Sequence, residues 1–579
     1  MDTIRIGSGR AVNFSEAYES EADIISLGKQ WNDTRAFRLT VWEKRRALER
    51  LVAFYVGADA ARVAIGHPYS WRQGAFNVVV PMLVFSDVDE AEAARANELA
   101  MGPLVANVQH VVLRCPVPGK CAEAHHPGSV LEKMRCEAAA YVWMQRQCAD
   151  VRIPYLYGFG LPDGTHFAHT AQVRFVRRAL RRLRQWLATL LGWPVPSDYV
   201  AVQPMQPMQP ATHSTEQSKE PLATQPPENP MPSGYMVLEH LGPSFGRELP
   251  FVVQNQQLDH EPAKMRNLFR DVSRILLAVA RIPQPRIGAF RFNHDGTISL
   301  DNRPVTPDMF ILENEGAPRT IPIDKTYTST EQYVTDLATF HDERFLAAPN
   351  AVTSEDDCRC QMAIKALFRS IMHRFINKDL RNGPFALYMG DSNAANMFVD
   401  EDWNVTAIYD LEWLISGPID LPRFPSWLTW DSIDHVSDTG YAAYNKMREM
   451  FMEAFKAEER LADTAALEAA AGRTLSSIME ESWLSKQTWI FKSLLSVNGL
   501  YHVTQNQFAP MFYPDEIPYE DLSYLWAEGT RDITAKKVAD RKAYVAELAA
   551  LFGRDPPAEE IQKTGTTEAA LDEETKCRG

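Results

Sequence analysis

Residues 396 to 410 read as one β-hairpin with a polar side chain at each mouth. Asn396 precedes the apolar strand Met397-Phe-Val399, a polar turn follows at Asp400-Glu-Asp-Trp-Asn404, and Val405-Thr-Ala-Ile-Tyr409 leads back to Asp410. Two short apolar runs around a turn-rich pentad fold back antiparallel, which brings Asn396 and Asp410 to the same end. Asp391 stands five residues before Asn396, so two carboxylates and a carboxamide surround a single hairpin. The Asp-x₄-Asn spacing alone is weak, because Asp and Asn fill ordinary loops through Asx-turns. The paired strands and the second Asp raise it. Moving a phosphoryl group needs a carboxylate to hold an acceptor hydroxyl, and oxygen donors to hold Mg²⁺ on the phosphates.

The bulk of the chain limits the alternatives. A length of 579 residues allows two to four domains, and 45% hydrophobic with 23% charged residues is ordinary for a soluble globular protein. A net charge of −15 argues against a whole-chain nucleic-acid or anionic-membrane binder. Seven cysteines, odd in number and without metal-ligand spacing, favour a reducing, cytoplasmic setting over a disulfide framework or a zinc site. Met1 to Arg10 is polar and lacks the apolar core of a secretory signal. Phe76–Phe85 and Trp186–Trp193 are too short to span a bilayer, so no transmembrane segment is expected.

Periodicity divides the chain. Residues 1–40 read as an N-terminal extension with some helix, and Val41 to Tyr55 keeps a helical period. Arg62–Ile65, Val78–Phe85 and His110–Arg114 are β-branched strands, and Ser129 opens a helix running to about Cys148. Tyr155–Phe159 and Tyr235–Glu239 are further strands, with an insertion at 171–233 between them. Its first half is an Arg-rich amphipathic helix; its Pro/Gln-rich second half, 203–233, is expected to be disordered. After Gly246 helical periods dominate, around 332–345, 361–376, 441–455 and 478–502. A second hairpin covers Ile287–Leu300, with its turn at Asp295-Gly296. The tail, 554–579, is polar and expected to be disordered.

Asp391-Ser-Asn-Ala-Ala-Asn396-Met-Phe-Val-Asp400 and Ile408-Tyr-Asp410-Leu-Glu412-Trp413 resemble the catalytic loop and metal-binding segment of the aminoglycoside phosphotransferase and choline kinase-like family, in its fungal branch. Phe385-Ala-Leu387 and Gly417-Pro-Ile-Asp-Leu-Pro422 extend the likeness, which runs from about residue 41 to 530 without the insertion. It implies an α+β, protein-kinase-like two-lobed fold. A small antiparallel-sheet lobe with one helix and a connector would span 41–245, and a larger, mainly helical lobe 246–553. It also implies ATP and Mg²⁺ as cofactors, a hydroxyl of a small molecule as acceptor, Asp391 as the catalytic carboxylate, and Asn396 with Asp410 as metal ligands.

On the nucleotide side, Gly74 and Asn77 lie in a turn between strands that resembles the family's phosphate-covering turn. Arg114 takes the place of the basic residue on the third strand, with Glu137 on the next helix as its acidic partner. The stretch from Tyr235 to Leu241 resembles the connector, where backbone groups at Glu239 and Leu241 would meet adenine. An ordinary turn, a strand-to-helix salt bridge and a buried strand end are the plain alternatives for these three segments. One departure stands beside Asp391. The family's usual His two positions earlier is Met389 here, which loses a hydrogen bond that supports the loop. That substitution and Arg114 motivate the rival expectation, a pseudokinase that binds nucleotide or scaffolds without useful turnover. The helix with six arginines between Arg174 and Arg184 reads as a solvated face whose apolar side packs on the sheet lobe, with weak contact to an anionic surface, a nucleic acid or a membrane interface as its functional alternatives. No nucleic-acid partner is expected.

Overall fold

β-Branched and aromatic residues between positions 63 and 239 build one antiparallel sheet, because such side chains pack well on a pleated surface. In a computed structural model, which describes residues 3–7, 9–96, 108–173, 175–202, 230–253, 258–430 and 438–557, its strands lie in the order Val63–Ile65, Asn77–Val84, Gln109–Pro116, Tyr235–Glu239, Leu156–Gly160, His166–His169 and Tyr199–Val202. Arg72–Gln73 adds to Asn77–Val84. Arg114 sits inside this sheet, opposite Val79 on one side and Met236 on the other. The register therefore fixes where its side chain emerges.

The helix Ser129–Gln147 is buried over most of its length and shares one core with the sheet and with the hairpin Gly288–Phe292 and Ile298–Asn302. That hairpin continues into a four-stranded sheet with Leu414–Pro418 and Phe385–Met389. The expected hairpin at 396–410 forms from Met397–Val399 and Val405–Ile408, paired Met397 to Ile408, with Arg247–Glu248 on its outer edge. Apart from a short antiparallel pair, Ile4–Ile6 with Arg10–Val12, helices make up most of the rest. Pro262–Ala280, with Pro262 in its first turn where no amide hydrogen is needed, packs on Asp438–Glu459 through Phe269 and Phe451. The architecture is mixed α+β with small antiparallel sheets.

Several local expectations change. The period around 478–502 predicts one helix, but the chain forms Leu475–Leu484, Gln487–Leu494 and Gly499–Val503. The first break falls at Lys486, whose φ of +63° is left-handed. The 41–55 helix is Arg45–Val56, which follows a separate helix Ile24–Glu43. Residues before 40 dock on the last helix, Thr530–Leu551: the Ile24 amide donates to Tyr544 Oη at 2.9 Å and Arg541 donates to Tyr18 O at 2.8 Å. Of the stretch expected to be disordered at 203–233, residues 203–229 lie outside the described residues. Met231 and Ser233 are buried, and Pro230 O accepts from Lys44 Nζ at 2.8 Å. The tail from 558 also lies outside the described residues. No helix is long and apolar enough to cross a membrane among the described residues.

Candidate phosphoryl-transfer site

The loop carrying Asp391 is held by hydrogen bonds from four directions. The Gly390 amide donates to Trp413 O at 2.7 Å, and a Cβ at Gly390 would stand 3.1 Å from that same oxygen, so the close approach favours glycine. Trp427 Nε1 donates to Ser392 O at 2.8 Å. Asn393 accepts the Ala395 amide at 2.9 Å in an Asx-turn, and Asn396 Nδ2 donates to Asp391 O at 3.2 Å. From the returning strand, Tyr409 Oη donates to Ala395 O at 2.6 Å and the Tyr409 amide to Asn396 O at 3.0 Å. Buried Arg423 adds a bond to Leu387 O at 2.6 Å, just upstream.

These bonds change the expectation for Met389. The loop has its supports without a histidine. Met389 lines a small cavity with Val272, Ile275, Leu276, Met397, Ser392 and Arg423, a space that a flexible thioether can fill.

Asp391 borders an open cleft of about 160 Å³, together with Asp308, Tyr388, Arg423, Trp427 and Phe491. That is room for a ring-sized part of a small molecule. Burial pushes the Asp391 carboxyl above the ordinary carboxylate range, the Glu412 charge adds to this, and Asn396 and Arg114 oppose it.

Beside the loop lies a buried ionic cluster drawn from four elements. Arg114, on its sheet strand, reaches Asp410 Oδ1 at 2.6 Å, Glu412 Oε2 at 2.9 Å and Glu137 Oε1 at 3.1 Å. The expected Arg114–Glu137 pair is thus in contact, but not aligned as a hydrogen bond: Arg114 Nε and Glu137 Oε1 are buried with no hydrogen-bond partner. Lys133, fully buried, pairs with Glu412 and lies 3.4 Å from Glu137 Oε2 and 3.2 Å from Asn77 Oδ1. Two cations, Arg114 and Lys133, therefore face three anions, Glu137, Asp410 and Glu412.

The excess falls on Asp410. Its carboxyl is raised, chiefly by burial, against the pull of Arg114 and with Glu412 and Glu137 adding to the rise. Glu412 is lowered, because Lys133 and Arg114 outweigh its own burial. Asp410 also has a φ of +64°, a conformation costly for a non-glycine residue and one that clusters at functional sites.

The structure places the remaining sequence-predicted residues unevenly. Asn77 is inside the cluster, with Nδ2 donating to Glu412 Oε2 at 3.0 Å. Gly74 sits above it, its carbonyl accepting from Lys120 Nζ at 3.1 Å and its amide bonding Asn77 O at 2.9 Å. Phe76, from the same turn, is buried on Trp413 with ring centroids 4.9 Å apart. On the connector, Glu239 is engaged: its carboxylate meets Arg152 Nη2 at 2.6 Å and its amide donates to Tyr155 O at 2.8 Å. The Leu241 amide, half-buried, makes no hydrogen bond among the described residues.

Sequence reasoning missed Lys133. A signal was present, since Val130, Lys133, Met134, Glu137 and Tyr141 share one helical face, and an i, i+4 ion pair on a buried stripe has to be satisfied from elsewhere. Compared with models of known protein families, with curated proteins and with solved structures, the chain matches none.

Proposed function

We propose that the chain is an ATP-dependent phosphotransferase, of the aminoglycoside phosphotransferase-like kind, that phosphorylates a hydroxyl of a small molecule. The observation that carries this reading is the convergence of Asp391, Asn396 and Asp410 on one hairpin beside the Arg114–Glu137 contact, from segments as much as 296 residues apart. A protein-kinase-like arrangement is part of the proposal: residues 41–245 form one lobe, 246–553 the other, and Arg114 and Lys133 reach across to Asp410 and Glu412.

The residues present fit a nucleotide and its metal. The cluster holds one anion more than it has cations, its carboxylate at Asp410 is raised, and Arg114 Nε is a buried donor with no acceptor. Asn396 Oδ1 and Asp410 would hold Mg²⁺ on the nucleotide. Bound there, Mg²⁺ would neutralise charge developing on the phosphates.

The chain's own groups do the positioning. Asp391, at the cleft wall, accepts the hydrogen bond of the acceptor hydroxyl and takes its proton; the raised affinity of this carboxyl for protons suits that task. Arg114 and Lys133 fix Glu137 and Glu412, which keeps Asp410 in place. The Leu241 amide is the connector donor open to an adenine edge. The cleft beyond Asp391 takes the acceptor. Most of the rate enhancement in such chemistry is positioning and charge neutralisation.

One observation favours the pseudokinase reading: Arg114 already occupies Asp410 Oδ1. Incubation with γ-labelled ATP and Mg²⁺ against a panel of amino-sugars, amino-alcohols and sugars separates the two. Label transfer at least about tenfold above the Asp391→Ala control is expected for the enzyme. ATP binding without transfer to any acceptor would favour the pseudokinase.

A further inference from the structure

The helix Phe175–Leu191 is attached to the protein by the wrong face for a globular helix. Placing its residues 100° apart puts Phe175, Trp186, Leu190, Leu183, Leu187 and Leu180 on one continuous arc of about 140°. In a soluble domain such an arc turns inward. Here these six side chains are 40 to 79% exposed, and Trp193, just past the helix, is 64% exposed. The sequence-based expectation that this apolar side packs on the sheet is therefore overturned.

The polar side makes the attachment. Buried Arg181 donates from Nε to Ser197 O at 2.8 Å, from Nη2 to Tyr199 O at 2.8 Å and from Nη1 to Asp295 O at 3.0 Å. Gln185 Nε2 bonds Asp198 Oδ1 at 2.8 Å, and Arg178 bonds Thr170 O and Ala171 O. The Asp295-Gly296 turn is shaped for this contact. Gly296 has φ +83°, and a Cβ there would overlap the Arg181 guanidinium. Two arginines and a glutamine thus hold the helix with its apolar arc pointing away from the body.

Charge selects the occupant of that arc. Arg177 and Arg184 border it on one side and Arg182 on the other, all exposed, and the helix contains no acidic residue. The chain as a whole carries −15, so this is a local reversal of sign. Two copies facing each other through this surface would bring arginine borders together. An anionic lipid surface instead meets the arginines at the headgroups, accepts the apolar arc below them and suits indoles at the boundary, where Trp186 and Trp193 stand.

We propose that Phe175–Leu191 is an interfacial helix that docks the protein on membranes bearing anionic lipid, lying in the membrane plane rather than crossing it.

Flotation of the full chain with vesicles of phosphatidylcholine alone, or mixed with phosphatidylserine, tests this. The wild type should bind the mixed vesicles at least about tenfold more tightly, and high salt should release it. Leu183→Glu/Leu187→Glu should weaken binding about tenfold or more, with the melting temperature unchanged because both side chains are exposed. Arg177→Ala/Arg182→Ala should weaken it about fivefold per arginine on mixed vesicles only. Absence of vesicle binding, equal binding to both compositions, or binding untouched by the leucine substitutions would overturn the proposal. So would a concentration-dependent dimer that the leucine substitutions dissociate and that binds no vesicles, since the face would then belong to a second copy.

Discussion

Glu132 and Lys133 are adjacent on one helix, yet they enter two buried ionic clusters of opposite design. Glu132 meets Arg303 through two hydrogen bonds, at 2.8 and 3.0 Å; Arg303 grips Glu313 at 2.5 and 2.9 Å, and Arg319 closes on Glu313 at 2.7 Å. Two arginines face two glutamates, and Arg303, Glu132 and Glu313 are all but sealed from solvent. On the Lys133 side, two cations face three anions, two polar atoms lack hydrogen-bond partners, and the Asp410 side chain remains 21% exposed. The first cluster is complete as it stands and ties the helix to residues 303–319. The second is short of one positive charge and open where that charge would enter. Burial of charge alone does not mark a functional site; imbalance together with access makes the second cluster the candidate.

The largest expected effect breaks the closed cluster. Arg303→Met leaves Glu132 and Glu313 buried without their main partner and should cost about 3–5 kcal/mol, read as a lower melting temperature. Nucleotide affinity of the protein that remains folded should not move. If Arg303→Met instead abolished nucleotide binding at full stability, the division between the clusters would fail.

On the open side the pattern reverses. Asp391→Asn should lower phosphotransfer by about 10²–10³-fold, equivalent to about 3–4 kcal/mol, while melting stays at the wild-type value or rises, because a raised carboxyl is being replaced by a neutral group. Steady-state turnover and a melting curve on the same preparation check both halves.

A smaller effect should separate the clusters by pH. Glu313 is held below its ordinary 4.5 by Arg303 and Arg319. Its stabilisation is present above that value and is lost as pH falls through the lowered one. Asp410 is raised above its ordinary 3.8, so the folded state binds more protons there and metal-free stability declines as pH rises from 3.8 through the raised value. Asp410→Asn should flatten the decline that begins above pH 3.8, and Glu313→Gln should flatten the loss below pH 4.5. Melting temperatures across a pH series on the two variants would show it; identical profiles would mean that the two carboxylates are not in opposite environments.

Much of the open site was legible because its residues sit on local patterns. The hairpin between Asn396 and Asp410 follows from two apolar strands around a turn, and the strand carrying Arg114 and the helix carrying Glu137 form with nearly the expected bounds. What escaped depends on long-range packing. Lys133 escapes because nothing local says that Glu412, 279 positions away, will meet it. The closed cluster was missed for the same reason: Arg303 and Glu313 are ten residues apart, but Glu132 comes from a helix far upstream. The break at Lys486 was hidden by an unbroken helical period. The outward-facing arc at 175–191 escaped because periodicity gives an apolar stripe but not the direction in which it points.

Thermal melting with ATP, measured with and without Mg²⁺ on wild type and on Asp410→Asn, bears most directly on the open cluster. ATP with Mg²⁺ should raise the wild-type melting temperature well above ATP alone, as binding to the folded state requires, and Asp410→Asn should lose that Mg²⁺-dependent increment relative to its own metal-free melting temperature. No response of the wild type to nucleotide, with or without Mg²⁺, would contradict the assignment of this cluster as a phosphate and metal site.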